Sequence, residues 1–181
     1  MTIRNERIMV RTRLLIGALI LLVLVLFYRL ATMTPPGMDK PYAAPDFAAT
    51  LNKGAAPTNL SALRGKVVLL DFWATWCGPC RMSIPQLATL YQKYHAKGLE
   101  IIGISMDGPE TQKLIPVAKK EWGINYPIAL ADDIPDLGNK YRFDAIPSLY
   151  IIDKQGRVRK HIPGYDPTDN LTELIETLLQ E

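Results

Sequence analysis

The tightest constraint on this chain is a run of local signals between residues 66 and 94. Lys66-Val67-Val68-Leu69-Leu70-Asp71-Phe72-Trp73 is an apolar run rich in β-branched and aromatic residues, and it reads as a buried strand. Ile84, Leu87, Tyr91 and Tyr94 then recur at helical spacing. Between them lies Trp76-Cys77-Gly78-Pro79-Cys80, which holds both cysteines of the chain. The pair therefore falls on a strand-to-helix turn, with Cys77 near the helix N-terminus. The unpaired N–H groups there carry partial positive charge and favour a thiolate. Such placement lowers a cysteine pKa from about 8.5 to roughly 3.5–7.5. Cys80, one turn further in, should be more buried and less ionised. Two cysteines so spaced can close into a small ring and reopen, carrying two electrons, which points to thiol–disulfide exchange.

Other uses of the pair fit less well. A structural zinc site needs four ligands. The chain has no second cysteine pair, and His95 and His161 are far apart in sequence, so no metal site is expected. A purely structural disulfide over so short a loop would constrain little of the unfolded chain. No cofactor is expected beyond the redox-active pair Cys77–Cys80 itself.

The N-terminus has a different character. Arg4, Arg7, Arg11 and Arg13 precede an apolar run from Leu14 to Tyr28, and Arg29 follows. The run is short beside the ~20 residues a membrane-spanning helix needs, but long arginines at its ends can snorkel to the interfaces. A cleaved signal peptide is the competing reading, but Leu30-Ala31-Thr32-Met33-Thr34 fits a small-x-small cleavage site poorly. The expected organisation is a cytoplasmic segment over residues 1–13, a retained transmembrane signal-anchor over 14–31, a proline-rich linker over 32–45 and a globular domain over 46–181. The arginines before the span should stay in the cytoplasm. The expectation is a single-pass protein of the inner (cytoplasmic) membrane with its catalytic domain periplasmic. The formal charge of +3 partly reflects these arginines and gives no reason to invoke nucleic acid.

Past the linker, about 140 residues remain, enough for one domain with a real core. Strand-like runs recur at Val67–Trp73, Leu99–Met106, Pro127–Leu130, Ser148–Ile152 and Val158–Ile162. Asp153-Lys154-Gln155-Gly156 reads as a hairpin turn. Leu171, Leu174, Ile175, Leu178 and Leu179 form an apolar helical stripe, with Asp166-Pro167 as cap and first helical residue. Pro109–Gly123 reads as a helix kinked at Pro116, its lysines a solvated face, and Asp136–Tyr141 as a short helix. Strands alternating with helices, then a hairpin and a last helix, predict an α/β fold: a central mixed sheet flanked by helices.

The segment Asp71-Phe72-Trp73-Ala74-Thr75-Trp76-Cys77-Gly78-Pro79-Cys80-Arg81 resembles the active-site segment of thioredoxin. Asp144-Ala145-Ile146-Pro147-Ser148-Leu149-Tyr150-Ile151-Ile152 resembles the thioredoxin segment that carries a cis-proline. Pro45-Asp46-Phe47, Leu63-Arg64-Gly65-Lys66 and the long stretch between Asp107 and Tyr141 are similar to the membrane-anchored TlpA/ResA-like branch. The resemblance covers residues 45–180 and implies a thioredoxin fold with an extra helix/strand insertion, preceded by one N-terminal transmembrane helix.

It also implies roles. Cys77 is the expected nucleophile and Cys80 the resolving thiol. Asp71 is the expected acceptor of the Cys80 proton, since burial raises a carboxyl pKa toward neutrality. Many sequences of the TlpA/ResA-like branch carry asparagine there, so Asp71 departs toward thioredoxin. The lysine that accompanies the aspartate in thioredoxin is absent, and Gly103 falls near its place. Ile146 and cis-Pro147 are expected to face the cysteines and bind an extended substrate segment, with Trp76 on the rim. Gly78 and Pro79 shape the turn. With no cation between the cysteines, the pair should be reducing rather than strongly oxidising. The implied function is a membrane-tethered disulfide reductase acting on protein disulfides, re-reduced by a membrane electron donor, with cytochrome c maturation as a setting. The alternatives are an extracytoplasmic thiol oxidase or isomerase, and a non-catalytic docking module. A peroxidase would set a threonine and proline before a lone reactive cysteine, which Thr75 and its neighbours do not match.

Overall fold

The computed structural model describes residues 15–27, 40–51, 56–142 and 144–181. The chain divides into two units, residues 1–36 and residues 37–181. In the first, residues 15–27 form helix α1, whose apolar side chains are all exposed. No helix among the described residues is long and apolar enough to cross a membrane. The rest of the expected anchor, the arginines Arg4, Arg7, Arg11, Arg13 and Arg29, and the linker up to residue 39 lie outside the described residues.

The second unit is built on a six-stranded mixed sheet. Its strands are β1 (Tyr42–Ala43), β4 (Val67–Trp73), β5 (Leu99–Ser105), β6 (Ile128–Leu130), β7 (Ser148–Ile152) and β8 (Arg157–Pro163), in the order β1-β8-β7-β4-β5-β6. β4, β5 and β6 run parallel, and β7, β8 and β1 are antiparallel to their neighbours. A separate hairpin pairs β2 (Ala48–Thr50) with β3 (Pro57–Asn59). The helices are α2 (Gly78–Tyr94), α3 (Ile115–Glu121), α4 (Leu137–Lys140) and α5 (Leu171–Gln180). The five strand-like runs of the sequence are all present. β1 and the β2–β3 hairpin were not legible: they are two or three residues long and polar or alanine-rich. Tyr42 and Ala43 fall in the expected linker but pair with Val158 and Arg157.

β4 is buried along its whole length, because α2 and α5 cover one face of the sheet's centre and Phe47, Ala49, Leu60 and Leu137 pack on the other. Strand alternation sends Val67, Leu69, Asp71 and Trp73 to one side and Val68, Leu70 and Phe72 to the other. The first side packs with Ile84, Leu87 and Tyr94 of α2 and Ile175 and Leu178 of α5. The Tyr94 hydroxyl also donates to Glu176, tying α2 to α5. The second side packs with Leu60, Phe47, Tyr141 and Tyr150; the Tyr141 ring meets those of Phe47 at 5.9 Å and Tyr150 at 5.1 Å.

Two boundaries differ from expectation for local reasons. Pro116 does not kink a long helix. It stands in the first turn of α3, where its missing N–H costs nothing, after a 3₁₀ turn at Gln112–Leu114. The cap of α5 is Asn170, whose side chain accepts from the Glu173 N–H at 3.3 Å. Asp166 instead closes a turn of its own, accepting from the Thr168 N–H and hydroxyl. The 153–156 turn forms as expected, with Gly156 at φ +72° and its N–H on Asp153 O.

Candidate active site

Cys77 and Cys80 are joined as a disulfide, with Cα atoms 5.3 Å apart. Cys77 is the N-cap of α2, and its Sγ accepts from the Cys80 N–H at 3.2 Å. Gly78 and Pro79 make the first helical turn, where a proline is tolerated. Cys80 has no exposure and Cys77 keeps a thin edge at 5%. Trp76 stands on the rim, 63% exposed, with the exposed side chain of Met82 also on this motif-bearing segment. Trp73, by contrast, is wholly core. Its indole packs edge-on to Trp122, and its Nε1 is the buried side-chain nitrogen without a partner among the described residues.

The Ile146–Pro147 peptide bond is cis. Ile146 is half-buried against the core on both sides of the sheet, and Pro147 is buried. The Pro147 carbonyl accepts from Gly164 N–H at 2.8 Å. Next to it, Ser148 Oγ shares a hydrogen bond with His161 Nε2 at 2.8 Å, and the His161 ring stacks on Tyr150 at 4.1 Å. His161 is thus packed beside the proline loop, whereas His95 is exposed.

Asp71 is buried on the α2 side of β4, as burial of its strand required. Burial pushes its carboxyl up to about 7, and a hydrogen bond from the Tyr126 hydroxyl, 2.9 Å from Oδ2, acts against that rise. Gly103 lies directly opposite Asp71 on β5. Asp71 and Pro147 share the wall of a cavity of about 30 Å³ with Ser83, Gln86, Leu149 and Asp169, with exposed Asp166 also on its lining. That is room for water, and so for proton exchange with solvent.

Two groups here escape a reading of sequence. Tyr126 is one. The other is Asp107, buried just beyond β5, which accepts from the Thr75 N–H at 2.9 Å, the Thr75 hydroxyl and the Ser105 hydroxyl at 2.8 Å. Burial would raise its carboxyl, but these donors hold it below the ordinary range. Asp107 thereby pins the loop two residues before Cys77, helped by Met106 N–H on Trp73 O at 2.7 Å. The sequence carries only a weak pointer to it, an acid just past the carboxyl end of a strand, because the contact that gives it meaning is 32 residues away. Among the described residues, no group of three or more His, Cys, Asp or Glu side chains could hold a metal ion.

Comparison with known proteins agrees with this geometry. The AhpC/TSA family profile matches residues 42–161. A thiol-disulfide oxidoreductase ResA from Bacillus cereus is 35% identical over 128 residues, covering 71% of this chain and 72% of its own. A ResA from Geobacillus thermodenitrificans is 29% identical over 178 residues, 97% of this chain and 98% of its own. Among solved structures, a candidate thiol:disulfide interchange protein DsbE from Chlorobium tepidum superposes with a TM-score of 0.68 at 30% identity, covering 78% of this chain and 99% of that one.

Proposed function

This chain belongs to the AhpC/TSA family and is a thiol–disulfide oxidoreductase of the ResA/DsbE type, and from that premise we propose that it is a membrane-tethered disulfide reductase working on the outer face of the cytoplasmic membrane. The observation that carries the reading is the Cys77–Cys80 pair at the N-cap of α2, with Cys80 fully enclosed and a buried carboxyl near neutrality on the helix-covered face beneath. In the reduced protein, the Cys77 thiolate attacks a partner's disulfide. One partner sulfur leaves as a thiolate, and a Cys77–partner mixed disulfide forms. Asp71 takes the Cys80 proton, and the Cys80 thiolate attacks Cys77 Sγ. The second partner sulfur leaves, and the Cys77–Cys80 disulfide closes. Two electrons pass from this chain to the partner, and a membrane electron donor must return them, since that compartment has no cytosolic reductant pool.

Trp76, Ile146 and Pro147 are the substrate-contacting residues in this reading, and Gly78 and Pro79 hold the turn. The apolar run 14–28 and its flanking arginines support the tether and the orientation. The Gly-Pro spacer supports the reducing direction, because it lacks a cation that would stabilise the free thiolate. Apocytochrome c and its maturation proteins are the substrate class that the TlpA/ResA-like resemblance supports.

Two measurements test the proposal. The reduction potential of the pair should lie well below the about −120 mV of a strong periplasmic oxidant; a value near that figure makes the chain an oxidase instead. A Cys80→Ser variant should accumulate mixed disulfides through Cys77, and their identification names the substrates. A variant that traps nothing would leave a docking module.

A further inference from the structure

We propose that Tyr126 is a positioning residue for this reaction: its hydroxyl holds the Asp71 carboxyl and governs how readily that carboxyl takes the Cys80 proton. The inference rests on the role given to Asp71 above and adds the group that controls it.

Tyr126 comes to Asp71 from 55 residues away, and both side chains are about 1% exposed. What admits it is Gly103. A Cβ at that position would lie 2.9 Å from Trp73 Nε1 and 3.1 Å from Tyr126 Cε2. The space a side chain on β5 would take, directly across from Asp71, is filled by the indole and the phenol. The phenol is held there from several directions. Its ring sits edge-on to Tyr91 at 6.1 Å. The preceding Asn125 donates to Ala88 O of α2 at 3.0 Å. The following Pro127 accepts from the Gly103 N–H at 2.9 Å. A donor placed so firmly against one carboxylate oxygen is not a chance contact.

The chemistry follows from what Tyr126 can and cannot supply. Burial and the nearby Asp71 raise its own pKa well above the ordinary phenol value, so it stays protonated and donates without carrying charge. A neutral donor stabilises the carboxylate less than a cation would. Asp71 therefore keeps its proton up to neutral pH yet can still lose it. The other groups around it do not reverse this. β5 presents only Gly103, and β7 presents Leu149. α2 presents Ser83, Gln86 and Leu87, and across the cavity stand Tyr165, Asp166 and Asp169. Tyr91 gives its own hydrogen bond away, to Glu100 at 3.1 Å.

The test is the pH profile of single-turnover reduction of insulin disulfides by the reduced protein, for wild type, Tyr126→Phe, Asp71→Asn and the double variant. Wild type should show an inflection near neutrality. Y126F should move it upward by about half to one unit, the worth of one neutral hydrogen bond, and D71N should flatten it. The double variant should match D71N. If D71N flattens the profile but Y126F overlays wild type, Tyr126 has no such role and Asp71 keeps its own. If D71N leaves the profile unchanged, the reading of Asp71 fails and this inference with it. A Y126F shift that persists in the D71N background would also overturn it, because the tyrosine would then act elsewhere. Should Y126F not fold, fluorotyrosine incorporated into the otherwise unaltered chain makes the phenol a stronger donor; the inflection should then move down, and no movement would refute the proposal.

Discussion

The β4–β7 ladder has a buried aspartate toward each end, and the two stand in opposite electrical surroundings. Asp71 lies on β4 opposite Leu149; Asp153 follows β7 directly, at the hairpin. Each is 1% exposed. Asp153 accepts from the N–H groups of Gln155 and Arg157 and from the guanidinium groups of Arg157 and Arg159. Burial would raise it, but those donors keep it below the ordinary carboxylate range. Asp71 has one neutral phenol and sits near 7. Equal burial thus gives opposite outcomes, and the number and charge of donors decide which. Asp153 is a fixed anion that holds a turn. Asp71 is left able to change state, as a proton carrier must be.

The largest expected effect comes from removing the titrating member. Asp71→Asn should slow release of the reduced partner by about 100-fold, the usual worth of a positioned acid–base group. It should also stabilise the fold at high pH. A raised folded pKa means that the native state binds the proton more tightly than the unfolded chain. Wild-type stability should therefore fall as pH rises from about 4 to about 7 and then level off. D71N should lack that slope and exceed wild type at pH 8 by on the order of a few kcal/mol in denaturant unfolding, with no advantage at pH 3.

Asp153→Ala attacks the other end. It should cost about 2–3 kcal/mol at pH 7, on the low side for breaking a buried pair because both guanidinium groups reach water. Its sign with pH is opposite. The lowered folded pKa gives stability that is present above the unfolded value near 3.8 and lost as pH falls through the folded one. Equal pH slopes for the two variants would erase the contrast.

Two smaller changes sharpen it. Gly103→Ala would drive a methyl into Trp73 and Tyr126, both fully buried, and should cost about 1–3 kcal/mol in unfolding. It should also disturb the Asp71 inflection. Thr75→Val removes one hydroxyl donor from Asp107 and should cost about 1 kcal/mol while leaving that inflection in place.

Much of this was legible in the residues because the signals were local. The β-branched run of β4, the helical spacing after Cys80 and the 153–156 turn each act within a few positions. Asp71 could be placed under the motif because a fully apolar strand leaves its one acid nowhere else to go. Tyr126 and Asp107 could not be assigned, since their meaning lies in contacts made 55 and 32 residues away. Pro116 and Asn170 show the limit at shorter range. A proline can start a helix or bend it, and only the packing of Ile115 and Ala118 against the sheet decides. Asp166 and Asn170 are both competent caps, and the start of the Leu171 stripe selects the second.

Asp107 and Tyr126 mark the two ends of the stretch that separates β5 from β6. An engineer who trimmed that stretch to a bare connector, to make a smaller enzyme, would keep every atom of Trp76-Cys77-Gly78-Pro79-Cys80. The shortened protein would nonetheless lose the clamp on the loop before Cys77 and the hydrogen-bond donor to Asp71 in one cut. Conversely, moving residues 107–126 as a cassette into a relative would carry the phenol contact across only where that relative has a glycine in the place of Gly103 and an aspartate in the place of Asp71.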